Sequence, residues 1–273
     1  MRDSIAPLEQ IQSYTGVKLM LSDQDQGRIP SRTLSVSCQD CSVSLICLPV
    51  AVKEKELDQL DSIIRRSRPL RKGEHLFRAG DVFRSIFAVR SGTIKTYSVT
   101  EDGEEQVTGF YLPGEVLGVD GICSNTHTNS AKALESAAVC EIPFDKLEQL
   151  SVAIPSLQRH FFQLMSKEIQ ADQQLLMLLS KKSAEERIAA LLLSIAARNG
   201  ARGLSSTRFR LAMSRNDIGN FLGLAVETVS RVFTRLQKQD LLLVEGKEVE
   251  IQDTQALCNI SEGMIEGREA KRA

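Results

Sequence analysis

The chain has 273 residues, enough for two domains with buried cores, and its 34 Lys and Arg against 35 Asp and Glu leave a formal charge of −1. That balance gives no global sign of a nucleic-acid partner, and no apolar run approaches the ~20 residues a membrane span needs. Six cysteines with no amino-terminal apolar segment point to a reducing, cytoplasmic setting, where clustered thiols ligate more often than they pair.

Residues 1 to about 37 read as an irregular arm, because Asp, Gln, Ser, Gly and Pro interrupt every apolar run; residues 17–21 suit a local turn with no assigned role. Then comes Cys38-Gln-Asp-Cys41-Ser-Val-Ser-Leu-Ile-Cys47, three thiols within ten residues. Thiolates this close are costly unless a cation holds them, and a metal or iron–sulfur centre does so. The C-x2-C-x5-C spacing lets one short loop wrap a centre but supplies three ligands, so a fourth must come from elsewhere in the chain. An odd number of neighbouring thiols fits disulfide pairing poorly. Zinc and an iron–sulfur centre both remain open on these residues alone.

A helix is expected over 54–66, with Leu57, Leu60, Ile63 and Ile64 on one face. From Pro69 to about Phe144 the pattern changes to short β-branched and aromatic runs: His75-Leu-Phe77, Ile86-Phe-Ala-Val89, Ile94-Lys-Thr-Tyr-Ser-Val99, Gln106-Val-Thr-Gly-Phe-Tyr-Leu112 and Ala137-Ala-Val-Cys-Glu-Ile142. Glycines punctuate them at 73, 80, 92, 103 and 114. Strands this short, with turns this frequent, predict an antiparallel barrel, roll or sandwich.

Pro155 opens a long helix reaching about Lys182, since proline is tolerated where the backbone N–H has no helical partner. Gln158, Phe162, Met165, Ile169, Asp172, Leu176 and Leu179 follow alternating four- and three-residue steps, the heptad seam of a helix that pairs with another helix. Asp172 departs from an apolar seam. If the helix meets its own copy about a two-fold axis, two Asp172 carboxylates face each other at a cost on the order of a kcal/mol. Such a dimer sits near the edge of stability.

Ser183-Ala-Glu-Glu186 is a capping box that starts another helix, ending near Asn199-Gly200. Ser214-Arg-Asn-Asp217 caps a second, Gly223-Leu-Ala225 makes a tight turn, and 226–238 resumes as a helix with Val229, Phe233 and Leu236 facing inward. Leu241 to Val244 and Val249 to Ile251 flank Gly246 as a small hairpin. Two short helices, a glycine turn and a hairpin describe a winged helix-turn-helix. Between 208 and 238, six basic residues (Arg208, Arg210, Arg215, Arg231, Arg235, Lys238) stand against Asp217 and Glu227, the patch that phosphate contact requires. On the outer face, Arg231 suits guanine, Glu227 a cytosine amino group, and Ser230 either a base edge or a thymine methyl. The three histidines, 75, 127 and 160, fall in a strand, a loop and the long helix with no nucleophile–base arrangement, so no enzyme is expected.

Five stretches together resemble the cyclic-AMP receptor protein superfamily of bacterial transcription regulators. They are Cys38-Gln-Asp-Cys-Ser, Ala88-Val-Arg-Ser-Gly-Thr-Ile-Lys, Val139-Cys-Glu-Ile-Pro-Phe144, Leu178-Leu-Ser-Lys-Lys-Ser-Ala-Glu-Glu-Arg187 and Val226-Glu-Thr-Val-Ser-Arg231. Within it, the chain is most similar to the fumarate and nitrate reduction regulator (anaerobic regulator) branch, over residues 36–258. The resemblance implies an α+β fold: an N-terminal β-roll sensor of the cyclic-nucleotide-binding type, a long dimerisation helix, and a C-terminal winged helix-turn-helix. Domain limits follow as an arm over 1–37, cysteine loop plus roll over 38–150, dimerisation helix over 155–182, DNA-binding domain over 183–258 and a tail over 259–273.

It further implies an oxygen-labile [4Fe–4S] cluster on Cys38, Cys41, Cys47 and a fourth cysteine in the roll. The Val-Cys-Glu-Ile-Pro-Phe match gives that place to Cys140; the residues themselves leave Cys123, in a Gly/Ser/Asn loop, equally inviting. Cys123 and Cys258 are then incidental. By the same carry-over, Glu227, Ser230 and Arg231 match base-reading residues for a TTGAT half-site in a DNA palindrome bound by a homodimer. Phe162, Met165, Ile169, Asp172 and Leu176 line the dimer interface, and Asp172 matches the family's charged interface residue. Loops at Ser91-Gly92 and 101–106 would meet RNA polymerase. The expected function is an oxygen-responsive regulator of anaerobic metabolism genes; a DNA-binding protein with structural zinc on the same cysteines is the alternative.

Three departures qualify the match. The leader before Cys38 is long, and Gln158 stands where relatives often carry Arg. Gly114-Glu115 is present, but Asn129-Ser130-Ala131 stands where Arg-Ser-Ala binds a cyclic nucleotide's phosphate. A buried phosphate diester without a cation is unfavourable, so no cyclic-nucleotide binding is expected.

Overall fold

Leu48 anchors the segment that carries the three clustered cysteines: it is 1% exposed, and it opens a single 3-10 turn (Leu48–Ala51) directly after Cys47. The computed structural model describes residues 36–263, so nearly all of the expected arm, its turn over 17–21 and the end of the tail lie outside the described residues. Helix α1 (Glu54–Ile63) follows. The sequence pattern extended it to 66, but Ile64 turns to extended backbone and Arg65–Arg66 becomes strand β1, which pairs with the strand that bears Cys140. A sheet hydrogen-bond ladder thus overrides the helical periodicity of the last three residues.

The predicted β-rich region forms two four-stranded antiparallel sheets. One has the order β1, β8 (Ala138–Pro143), β3 (Ser85–Ser91), β6 (Val116–Leu117); the other β2 (His75–Phe77), β7 (Ser130–Ala133), β4 (Ile94–Val99), β5 (Glu105–Tyr111). Phe77, Ile94, Ala131 and Ala133 from one sheet and Val89, Leu117 and Val139 from the other share a core, which makes the region a β-roll. Strands β6 and β7 were not legible: Val116-Leu117 is too short to alternate, and Ser130-Ala-Lys-Ala has small, weakly strand-forming residues.

Helix α2 (Phe144–Ala153) closes the roll, and α3 (Pro155–Lys181) runs for 27 residues from the predicted proline. Only Leu157 and Phe161 of α3 are buried; they join Leu48, Leu60, Ile86 and Ile142 in an apolar cluster against which Cys47, Cys140, Leu164 and Met165 pack. Each such aliphatic side chain contributes about 1.5–3 kcal/mol by leaving water.

The carboxy-terminal domain comprises α4 (Ala184–Ala201), β9 (Arg208–Arg210), α5 (Arg215–Leu222), α6 (Val226–Lys238), β10 (Leu242–Glu245), β11 (Glu248–Ile251) and α7 (Thr254–Glu262). Both expected capping boxes form: Ser183 Oγ accepts from Glu186 N, and Ser214 Oγ accepts from Asp217 N at 3.0 Å. Gly223 takes φ +62° at the end of α5, the left-handed turn that aims α6 away from it. Strand β9 adds to the hairpin, and α7 packs on α4 through Leu257; the domain limit drawn at 258 falls inside this helix. Val107, Phe110, Leu112 and Leu134 of the roll belong to the same apolar core as α4–α7, so the two domains are joined by a dry contact.

Candidate metal centre and DNA-reading surface

The cysteine segment folds as consecutive turns: Ser44 N–H donates to Cys41 O at 3.1 Å, and Cys47 N–H to Val43 O at 3.1 Å. Leu48, directly after Cys47, packs in the apolar cluster shared by the roll and α3 and anchors this end of the segment, and Val43 within it is buried too. Cys38 is buried; its N–H donates to Asp61 Oδ1 at 2.7 Å, and the Arg66 guanidinium lies 3.6 Å from its sulfur. Asp61 and Arg66 form an ion pair of their own.

Cys140 stands in β8 between Arg66 of β1 and Ala88 of β3, in register with both. It is close enough to Cys38, Cys41 and Cys47 that the charge of each thiolate acts on it or is acted on by it. The loop cysteines and Cys140 therefore share one region of the structure, near enough for their charges to interact. Cys123 is exposed in the loop after the 3-10 turn Val119–Gly121, and Cys258 lies on α7.

Burial raises the Cys38 thiol from 9.0 to about 12, with Asp61 adding to it. Burial likewise raises Cys47 to about 12, and lifts Cys140 against the opposing pull of Arg66 and Arg90. These three thiols stay protonated at neutral pH unless a strong positive centre takes the place of their protons. An all-sulfur donor set at the edge of an apolar cluster suits soft metals, zinc or iron–sulfur, and not the hard oxygen-seeking cations. Among the described residues, no three His, Cys, Asp or Glu side chains converge tightly enough to hold a single metal ion.

Asp61 and Arg66 were not found from sequence. Burial disfavours the ionised Asp61 carboxylate, but the Cys38 N–H and Arg66 together outweigh it and hold its pKa below the usual value. Neither residue sits in a motif; the last turn of α1 places Asp61, and the pairing of β1 with β8 places Arg66, beside Cys38.

On α6, Glu227, Ser230 and Arg231 are all exposed, while Val229, Val232, Phe233 and Leu236 are buried. Ser230 Oγ donates to Val226 O at 2.9 Å and Arg231 to Thr228 Oγ1 at 3.2 Å, contacts easily exchanged for a base edge. Arg215 behaves differently from the other basic residues of the patch: its guanidinium lies 3.3 Å from the Phe233 ring centroid, and burial lowers its pKa. It clamps α5 to α6 and is not part of the exposed charge. Arg208, Arg210 and Arg235 remain exposed, Arg235 paired with Glu185 at 3.0 Å.

Along α3, Phe162, Ile169 and Leu176 are 61%, 56% and 69% exposed, Asp172 is exposed, and Met165 is half-buried. The heptad face points away from its own domain, and the opposite face carries Leu157 and Phe161. Glu168, one turn before Asp172, accepts a hydrogen bond from Tyr111 of β5 at 2.5 Å; burial raises its pKa, and Asp172 adds to the effect. Among the described residues no helix is long and apolar enough to cross a membrane.

Two family models match the chain: a cyclic nucleotide-binding domain over residues 67–152 and a Crp-like helix-turn-helix domain over residues 186–260. The transcriptional activator protein Anr of Pseudomonas aeruginosa is 56% identical over 230 residues, 84% of this chain and 94% of that protein. The fumarate and nitrate reduction regulatory protein of Escherichia coli is 50% identical over 234 residues, 86% of this chain and 94% of that one. Among solved structures, FixK2 from Bradyrhizobium japonicum superposes with a TM-score of 0.67 at 28% identity, over 72% of this chain and 97% of its own.

Proposed function

The chain belongs to the Crp/Fnr family of transcription regulators, in the branch of the Anr and fumarate and nitrate reduction proteins, and on that premise we propose an oxygen-responsive homodimer that grips palindromic promoter DNA only while Cys38, Cys41, Cys47 and Cys140 hold a [4Fe–4S] cluster. Members of this family are regulators and not enzymes, and the DNA-binding module here is the matched helix-turn-helix. When bound, the cluster would supply positive charge that keeps the four sulfurs ionised, and a core that oxygen degrades.

One observation carries this reading. Cys47 and Cys140 pack on the same apolar cluster as Leu164 and Met165 of α3. Ligation of these two thiols therefore bears on the packing of the helix whose outer face carries Phe162, Ile169, Asp172 and Leu176. In the oxygen-free state the loop is fixed to β8, the α3 pair tolerates its facing Asp172 carboxylates, and two α6 helices reach half-sites one helical turn apart. In air the pair separates, and a single α6 cannot bridge a palindrome. Glu227, Ser230 and Arg231 are the residues offered to a TTGAT half-site.

The loops assigned to RNA polymerase split in two. Ser91 and residues 101–106 are exposed, but Glu105 O accepts from Asn220 Nδ2 and Gln106 Nε2 donates to Asn220 O, so the surface free of the DNA-binding domain is the shorter one.

Cyclic nucleotides are disfavoured for a reason beyond the missing arginine. The Asp120 carboxylate accepts from Thr128 N and Asn129 N, each at 2.9 Å, so the amides of this loop already hold an anion of the chain's own. A phosphate would meet that carboxylate.

The test is oxygen-free purification with iron, acid-labile sulfide and zinc analysis, visible spectroscopy and sedimentation. Near four irons and four sulfides per chain, brown colour, and dissociation on exposure to air are expected. Colourless protein with one zinc and an oxygen-indifferent dimer rejects the cluster in favour of a structural metal.

A further inference from the structure

Ile46, in the cysteine loop immediately before Cys47, rests on Gly114 in the turn between β5 and β6. A Cβ on Gly114 would lie 2.5 Å from Ile46 Cδ1 and 2.7 Å from its Cγ1, and Gly114 has φ +90°. Only glycine meets both demands, the left-handed backbone and the close approach. The same turn is fastened to β3: Gly114 N–H donates to Val89 O at 2.8 Å, and Val89 N–H to Glu115 O at 2.9 Å. The residue before Val89, Ala88, is in register with Cys140. The loop cysteines and the roll cysteine thus bear on one turn from two sides.

The next residue faces the other domain. The Glu115 carboxylate receives Arg198 Nε at 2.7 Å and a second bond from Arg198 Nη2, while Arg202 Nη1 lies 3.6 Å away. Arg198 also donates to Phe110 O at 2.5 Å, and Arg202 to Pro113 O at 3.5 Å. Both arginines belong to the carboxy-terminal end of α4, where cations are favoured by the helix dipole. The Arg202 side chain is 5% exposed and its Nε has no partner, so a displaced Glu115 would leave a buried guanidinium under-compensated. At its other end α4 holds the reading helix: Glu185 pairs with Arg235 of α6 at 3.0 Å, and Arg187 donates to Leu222 O of α5 at 2.9 Å.

We propose that Gly114 and Glu115 form a relay within one subunit, by which the position of the cysteine loop sets the position of α4 and, through it, of the DNA-reading helix α6. The relay rests on the cysteine-centre reading for its trigger but not for its mechanics. Dimerisation through α3 decides whether two reading helices are present; the turn decides how each is held. Ile46 seated on Gly114 keeps Glu115 between Arg198 and Arg202. When the loop rearranges, the turn loses its outer support, the carboxylate shifts, and α4 loses the contact that orients it against the roll.

Two experiments test the relay. In oxygen-free, metal-loaded full-length protein, Glu115→Gln and Arg198→Met are expected to keep iron and sulfide content and dimer mass while weakening affinity for a palindromic duplex at least tenfold. Affinity within twofold of wild type, with metal and dimer intact, overturns the proposal. The second needs no metal and no DNA. In metal-free protein, Ile46→Ala is expected to raise amide hydrogen exchange several-fold both at 114–115 and at 195–203, around the end of α4. Faster exchange confined to 114–115, or no change at either, overturns it. If wild-type protein carries no iron, the cluster reading fails while the exchange experiment still decides the relay. A Glu115→Gln chain that does not fold leaves that decision to the same measurement.

Discussion

Lys95 of β4 and Asp217 in the first turn of α5 form an ion pair of 2.9 Å across the two domains, and Glu105 of β5 shares the same ammonium at 3.0 Å. Beside them the Asn220 side chain bonds to the backbone of Glu105 and Val107, and the Phe110 and Phe221 ring centroids lie 5.0 Å apart. Burial opposes the charge on Lys95, but Asp217 and Glu105 outweigh it and raise its pKa; Asp217 is lowered in turn by Ser214 and Lys95 against its own burial. The Lys95 side chain is 9% exposed, so its hydrogen bonds to charged partners contribute roughly 1.5–3 kcal/mol. Lys95→Met should lower stability by about that amount in urea titrations at pH 7. Asp217, with a depressed pKa, contributes stability at neutral pH that is lost as pH falls through the acidic range. The variant should therefore lose less on acidification than wild type. Equal stability at pH 7, or parallel acid profiles, would show the pair to be superficial.

Cys140 and Cys123 make opposite predictions. Cys140, in β8, feels the charge of Cys41 and acts on Cys38 and Cys47, whereas Cys123 is exposed in a loop. Cys140→Ser should abolish iron binding in oxygen-free preparations, and Cys123→Ser should retain it in full. Iron content that survives in the first and vanishes in the second would reassign the fourth ligand.

The raised thiols set an alkaline limit on the metal-free protein. Burial holds Cys38 and Cys47 at about 12, while the unfolded chain ionises them near 9.0. Below pH 9 both states keep the protons and nothing is lost. Above it the unfolded state releases protons the folded state retains, so stability falls as pH rises from about 9 towards 12. Urea midpoints of reduced, metal-free protein should drop from about pH 9 to 11, and a Cys38→Ala/Cys47→Ala variant should drop less steeply. Superimposable curves would mean the thiols are not held protonated by the fold.

Periodicity and punctuation carried the fold where elements are stabilised locally. Ser183 and Ser214 announced their helices because capping needs only residues three apart, Pro155 announced α3, and β4 came out at Ile94–Val99. What failed depends on distant partners. Arg65-Arg66 reads as a helix end until β8 pairs with it, and β7 is a strand because β2 and β4 flank it. The site divides the same way. Cys38, Cys41 and Cys47 declare themselves by spacing, and Glu227, Ser230 and Arg231 by helical position. Asp61, Arg66 and Arg198 carry no pattern, and Glu115 shows only as half of Gly114-Glu115, since their contacts come from residues tens of positions away. Arg215 shows the reverse error: it counts as patch charge in sequence and is spent on Phe233 in the fold.

Arg231 should behave as a base reader and Arg235 as a backbone contact. Arg231 is exposed on the early turns of α6 with an easily broken bond to Thr228, whereas Arg235 is one turn later and paired with Glu185. Arg231→Ala should cost about 1–3 kcal/mol at one base pair and relax preference there, measured by competition among duplexes altered one position at a time. A loss equal for all duplexes would make Arg231 a phosphate contact.

On the proposed reading, Asp172 sets the balance between one chain and two. The apolar positions around it, Phe162, Ile169 and Leu176, are exposed, and their burial in a pair favours association. Asp172 itself is exposed in the single chain, and Glu168 four residues earlier brings a second carboxyl whose pKa is raised by burial and by Asp172. In a pair about a two-fold axis the Asp172 carboxylates approach each other within a partly desolvated seam, a repulsion on the order of a kcal/mol that corresponds to several-fold in the dissociation constant. Asp172→Ala removes the repulsion and adds a small apolar contact, so the metal-free protein in air should dimerise at least several-fold more tightly in sedimentation equilibrium and retain the palindromic duplex. Asp172→Asn separates charge from shape: it should recover most of the same gain. If alanine strengthens the dimer and asparagine does not, packing and not charge limits the seam; if neither does, the pairing of chains does not run along this face of α3.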